Sequence, residues 1–139
     1  MFEFHGWIAI VEESSDDLDT AILDTRRETL CDTIEEMITA LSGTNRVFHL
    51  HRHLNGSAHL VFCGFHNHRD KQIIDFFHKV AAAQPYSYGK LHIRDDEDDR
   101  GFQNTVQSWT MARANVIEAT DVQLSPCIPT IEPEYKTTE

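Results

Sequence analysis

The sequence predicts an α+β fold: a mostly antiparallel sheet of about five strands, in the chain order β-α-β-β-α-β-β, with two helices packed on one face. Three observations carry this. Two segments repeat apolar residues every three to four positions, as one face of a helix does. Other segments are short apolar or alternating runs, which read as strands. Turn signals, led by Asn55-Gly56, join neighbouring strands by short connections and so favour antiparallel pairing. At 139 residues the chain fits one domain, 1–139, with an irregular proline-rich tail from about residue 124.

Residues 2–11 form a mainly apolar run and predict a largely buried strand. Ser14 and Ser15 are candidate caps for a first helix, with acids in its first turn complementing the helix dipole. Its apolar stripe is Leu18, Ile22, Leu30, Ile34, Met37, Ile38 and Leu41, and Gly43 is the expected C′ residue. The very polar stretch 24–29 predicts a break or bend. A hairpin follows, 47–54 and 57–65. A three-residue loop, 55–57, groups Phe48, Leu50 and Leu54 with Ala58, Leu60 and Phe62, leaving the histidines on the opposite face; a one-residue slip would reverse this. Asn67 or a neighbour is expected to cap the second helix, whose stripe is Ile73, Ile74, Phe76, Phe77, Val80 and Ala81, with Pro85 beyond its end. Strands at 88–94 and 102–110 come next. A turn near Ala114-Asn115 leaves room for one more short strand, 116–118. Trp7 and Trp109 are expected in the core, and the environment of Tyr88 is left open.

The net charge of −11, from 12 basic and 23 acidic residues, argues against nucleic-acid or anionic-membrane binding. It favours a cationic protein partner. Nine histidines make that attraction pH-sensitive, since protonating all of them would leave −2. The cysteines Cys31, Cys63 and Cys127 are odd in number and widely spaced, which is neither a disulfide framework nor a zinc-ribbon pattern. Cys31 and Cys63 are expected as small core residues. The start of the chain has no basic segment before an apolar run, and no apolar stretch has membrane-spanning length, so a cytoplasmic location is expected.

The densest feature is the run Asp95, Asp96, Glu97, Asp98 and Asp99, bracketed by Arg94 and Arg100. Between two strands it reads as a hairpin tip, where solvation or a cationic partner relieves like-charge repulsion. Both readings stay open on charge alone. The run lacks the alternating acids, glycine and terminal glutamate of a calcium loop. A second cluster, Glu12, Glu13, Asp16 and Asp17, precedes the first helix, where dipole complementation accounts for it without a partner. On the hairpin, His49, His51, His53 and His59 would share one face and offer four nitrogen donors, which makes a small metal-dependent enzyme the alternative reading. Alternating polar residues on a solvated strand face are the ordinary explanation of that pattern. No nucleophile elbow or glycine-rich phosphate loop is present, and neither catalysis nor a cofactor is expected.

The stretches FEFHGW at 2–7, SYGKLHIRDDED at 87–98 and LSPCIPTIEP at 124–133 resemble the immunity protein 7 family, and together they span most of the chain. The resemblance implies a single immunity-protein domain, encoded beside a bacterial polymorphic toxin of the kind used in contact-dependent growth inhibition. It implies a protein that binds one cognate toxin C-terminal domain and has no catalysis of its own. Many such toxins are nucleases with basic clefts, and a carboxylate loop can stand in for phosphate there. Asp95, Asp96, Glu97, Asp98 and Asp99 are therefore the expected toxin contact, with Glu12, Glu13, Asp16 and Asp17 as contributors. The toxin's substrate and the oligomeric state stay open. The stretch 124–133 is expected to pack across the sheet, closing an edge or a core end.

Overall fold

A computed structural model describes residues 1–43 and 45–126. The described residues form six strands: β1 (Phe2–Ile10), β2 (Phe48–Leu54), β3 (Ser57–His66), β4 (Tyr88–Asp95), β5 (Val106–Ala112) and β6 (Asn115–Asp121). Helix α1 (Thr20–Thr39) follows β1, and α2 (Lys71–Ala83) follows β3. The sheet order is β2-β3-β1-β4-β5-β6, antiparallel at every pairing. The α+β class holds, with one strand more than about five: the short last segment extends to seven residues because all of β5 is available to pair with it. The turn that starts it puts Arg113 and Ala114 at positive φ.

Strand alternation sorts the sheet into two faces. Phe2, Phe4, Ile8 and Ile10 of β1 are buried beside Leu60 and Phe62 of β3 and Leu91 and Ile93 of β4. Helix α2 supplies Ile73, Phe76, Phe77, Val80 and Ala81 to this face at helical spacing. Rings of Phe48, Phe62 and Phe76 meet with centroids 4.7–6.0 Å apart. Gly6 is required opposite Phe62, whose ring lies 2.2 Å from where a Cβ would stand. Trp109 is buried as expected, but Trp7 is not: it occupies an odd position of β1 and is 41% exposed on the face away from the helices. Cys63 likewise falls on the open face and is exposed, whereas Cys31 is buried in α1. An apolar run thus overstated how much of β1 is covered.

Helix α1 differs from its sequence reading at both ends and in the middle. Its cap is Asp19, not Ser14 or Ser15, because the Asp19 carboxylate accepts the Ile22 amide at 2.9 Å. It ends at Thr39 with Ala40 as the C-cap, three residues before Gly43. The polar stretch does not break the helix, which is continuous over Thr20–Thr39. Thr25, Thr29 and Thr33 each donate to the carbonyl four residues back, so their hydroxyls are satisfied within the helix. Only Cys31 and Ile34 of this helix are fully buried. Helix α2 is capped by Asp70, whose carboxylate accepts from the Gln72 amide, not by Asn67.

The hairpin β2-β3 departs from expectation in its loop, which is two residues long and not three. Its turn has two residues, Asn55 and Gly56, both at positive φ. Yet Phe48 pairs with Phe62 and Leu50 with Leu60, the same face grouping that a three-residue loop predicts. An irregularity between His51 and Leu54 absorbs the odd residue.

Candidate functional site

The acidic run does not sit on a tight hairpin tip. Asp95 ends β4, β5 starts at Val106 rather than Phe102, and residues 96–105 connect them. The run folds on itself because two of its acids turn inward. Asp95 is 3% exposed: its Oδ2 accepts from Arg69 Nη1 at 2.8 Å and its Oδ1 accepts the Glu97 amide at 3.0 Å. Asp98 is equally buried and accepts from the Arg100 amide, Nε and Nη2 at 2.9–3.1 Å, with Arg69 3.7 Å away. Hydrogen bonding from Arg100 holds the Asp98 carboxyl below the usual carboxylate range against the opposing effect of burial. Arg100 then reaches Glu118 of β6 at 2.7 Å and stacks over the Phe102 ring at 5.1 Å.

Asp96, Glu97 and Asp99 face solvent. Asp96 pairs with the Met1 amino group, whose hydrogen bond draws its pKa down, and Glu97 lies 2.9 Å from His68 Nδ1. The loop therefore offers three outward carboxylates on a base fixed by two inward ones. With Arg69, Arg94 and Arg100 beside it, much of its charge is balanced locally.

Glu12, Glu13, Asp16 and Asp17 stand at the other end of β1. Asp95 pairs with Phe2 in the sheet, and β1 runs nine residues before Glu12 is reached, which separates the clusters by about 30 Å. Glu12 is engaged by Arg27 at 3.2 Å, and Glu13 accepts from the Tyr86 hydroxyl, which pushes the Tyr86 pKa up. Asp16 and Asp17 are exposed.

A third acidic surface continues from this second one and was missed in the sequence. Asp24, Glu28, Asp32 and Glu36 recur every four residues of α1, with Glu35 beside them. Like charges at that spacing line one helix face and destabilise it, which is the signal that could have revealed them. Arg52 of β2 reaches across to Glu28, Asp32 and Glu35 at 2.8–2.9 Å. Residues 12–36 hold ten acids and two arginines, so eight of the eleven excess negative charges arise there.

The histidine set does not assemble. His51 and His59 are cross-strand partners and His49 opposes Val61, but the irregular step in β2 carries His53 to α1, where it lies 3.6 Å from Glu28. Among the described residues no group of three or more His, Cys, Asp or Glu side chains is arranged to hold a metal. No described helix is long and apolar enough to cross a membrane. Of the stretch 124–133, Cys127 and the residues after it lie outside the described ones. Leu124 lines a cavity of about 300 Å³ with Glu3, His5, His92, Arg94 and Val106, and the Ser125 hydroxyl accepts the Val106 amide.

Compared with known proteins, residues 1–133 match the family model described as Immunity protein 7. No curated protein and no solved structure gives a significant match.

Proposed function

Because the chain belongs to the immunity protein 7 family, it is an immunity protein for a polymorphic toxin, and we propose that its toxin is a basic nuclease domain held by acidic surface. The observation that carries this is the placement of the excess charge. Three outward carboxylates stand on a loop tied down through Asp95 and Asp98 at one end of β1, and a net −8 is spread over residues 12–36 at the other. Such fields draw a cationic partner in and raise its association rate. Carboxylates presented by a fixed loop enter a phosphate-binding cleft at little entropic cost.

Asp96, Glu97 and Asp99 are the direct contacts in this reading. Asp95 and Asp98 shape the loop that carries them. Glu12, Glu13, Asp16 and Asp17, with the α1 acids, steer the approach. The protein acts by binding, in the cytoplasm, on the toxin domain that would otherwise reach nucleic acid there.

Stopped-flow association with the cognate toxin domain tests the assignment. The triple variant Asp96→Asn, Glu97→Gln, Asp99→Asn should bind more slowly and with a smaller dependence on salt. Equal rates and equal salt slopes for variant and wild type would overturn the loop assignment. A toxin domain that leaves DNA and RNA intact would overturn the nuclease half.

A further inference from the structure

The sheet face turned away from both helices carries a surface of another kind. Five of the large hydrophobic residues left exposed lie on it: Trp7, Val61, Phe65, Tyr88 and Ile117. The register aligns one row across all six strands: His49, Val61, Trp7, Lys90, Thr110 and Ile117. The Tyr88 ring meets Trp7 edge-on with centroids 6.0 Å apart.

Charge on this face balances, unlike that of the whole chain. Glu3 lies 2.9 Å from His5 and 3.7 Å from Arg94, and Asp121 lies 3.3 Å from His92. Lys90 pairs with no acid among the described residues. Two carboxylates thus face two formal cations, Lys90 and Arg94, while the large negative excess sits on residues 12–36.

We infer that this open face joins two copies of the chain, sheet against sheet, about a two-fold axis. Self-complementarity is the first argument. A two-fold contact presents the same patch twice, so it needs both signs of charge and an apolar centre on one surface, as here. Repulsion is the second. Two molecules of net −11 approach most easily through the face where charge cancels, whereas a basic partner is drawn to the acidic surfaces instead. Area is the third. Strands about 4.8 Å apart and about 3.3 Å per residue give this sheet a face of roughly 750 Å², close to the ~800 Å² per partner of a standard interface. Leu124 borders the cavity at the corner near Glu3 and His5, and contact over about two thirds of the face would bury on the order of 1,000 Å² for two copies, enough for a weak specific dimer. Trp7 and Val61 form its centre, with Lys90 facing Glu3 or Asp121 of the other copy.

Sedimentation of the full chain across a concentration series is the test. A reversible dimer in the micromolar range is expected, strengthened by salt because salt screens the −11 charges. That is the opposite of the salt response expected for toxin association. Trp7→Lys should weaken the dimer at least tenfold while leaving toxin binding unchanged. Ile117→Lys, at the more exposed end of the row, should weaken it too and guards against misfolding of the first variant. A wild-type chain that stays monomeric overturns the proposal, whether the toxin or the chain beyond residue 126 then proves to occupy the face. A dimer indifferent to both substitutions also overturns it.

Discussion

Arg69, the residue before the cap of α2, donates from Nη1 to the buried Oδ2 of Asp95 at 2.8 Å. One guanidinium thus fastens the acidic connection to the helix that closes the core, and its 3.7 Å approach to Asp98 extends the hold to the next inward acid. Presentation of the outward acids depends on this arrangement.

Asp95→Asn and Asp98→Asn should each lower stability by about 2 kcal/mol. Solvent reaches Arg69, so the loss stays below the 3–5 kcal/mol of breaking a fully buried pair. The triple substitution of Asp96, Glu97 and Asp99 should change stability by no more than about 0.5 kcal/mol. Denaturant midpoints separate the two groups; equal losses would contradict the division into inward and outward acids.

Acid should loosen this loop in a defined window. The folded pKa of Asp98 is depressed, chiefly by Arg100, so its contribution is present above the unfolded value near 4 and is lost as pH falls through the folded one. Asp98→Asn should flatten stability against pH below about 4 and leave the neutral slope unchanged. Urea titrations of both proteins across that range provide the comparison.

Gly89→Ala should be the costliest of the glycine changes. A Cβ there would meet the Trp7 carbonyl oxygen at 2.2 Å, and backbone cannot swing aside as a side chain can. A loss on the order of 3 kcal/mol is expected. Gly43→Ala meets nothing within 4 Å but stands at φ +72°, so its loss should be near 1 kcal/mol. Thermal midpoints rank the two.

Thiol labelling reads the two faces of the fold directly. In a Cys127→Ser background, Cys63 should react at once with an aromatic disulfide reagent. Cys31 should react only on unfolding, because it is buried and burial pushes its thiol pKa up. Two fast thiols would contradict the placement of α1.

Glu36→Lys should stabilise the protein by about 0.5–1 kcal/mol. It converts a repulsive step of the α1 ladder into an attractive pair with Asp32, and it puts a cation near the helix C-terminus. If that ladder steers the toxin, association slows severalfold in the same variant. Gained stability with slowed association would show a helix kept suboptimal for binding.

Much of the architecture is legible in local pattern. The α2 stripe from Ile73 to Ala81 has one clear period, and the extent of β4 is legible because its alternation is regular and Pro85 lies before it. The hairpin's two faces follow from the spacing of Phe48, Leu50, Leu60 and Phe62, although the irregular step that permits them does not. The acids themselves are evident as charge. Which of them turn inward is not: Arg69 lies 26 residues before Asp95 and no local rule joins them, and nothing in the run itself singles out Asp98 as the acid that Arg100 engages.

Composition and periodicity therefore determine that there are two helices, the order of helices and strands, and the sign of the field, since each depends on neighbours along the chain, whereas several element ends do not follow from them. Pairing across the sheet settles the rest. Trp7 sits in an apolar run yet faces outward, because the register puts Phe4, Gly6 and Ile8 under the helices and both helices lie on that side. Asp95 and Asp98 sit in a run of charge yet face inward, because Arg69 from beside α2 bonds the first and Arg100 of the same connection bonds the second, which makes their burial tolerable.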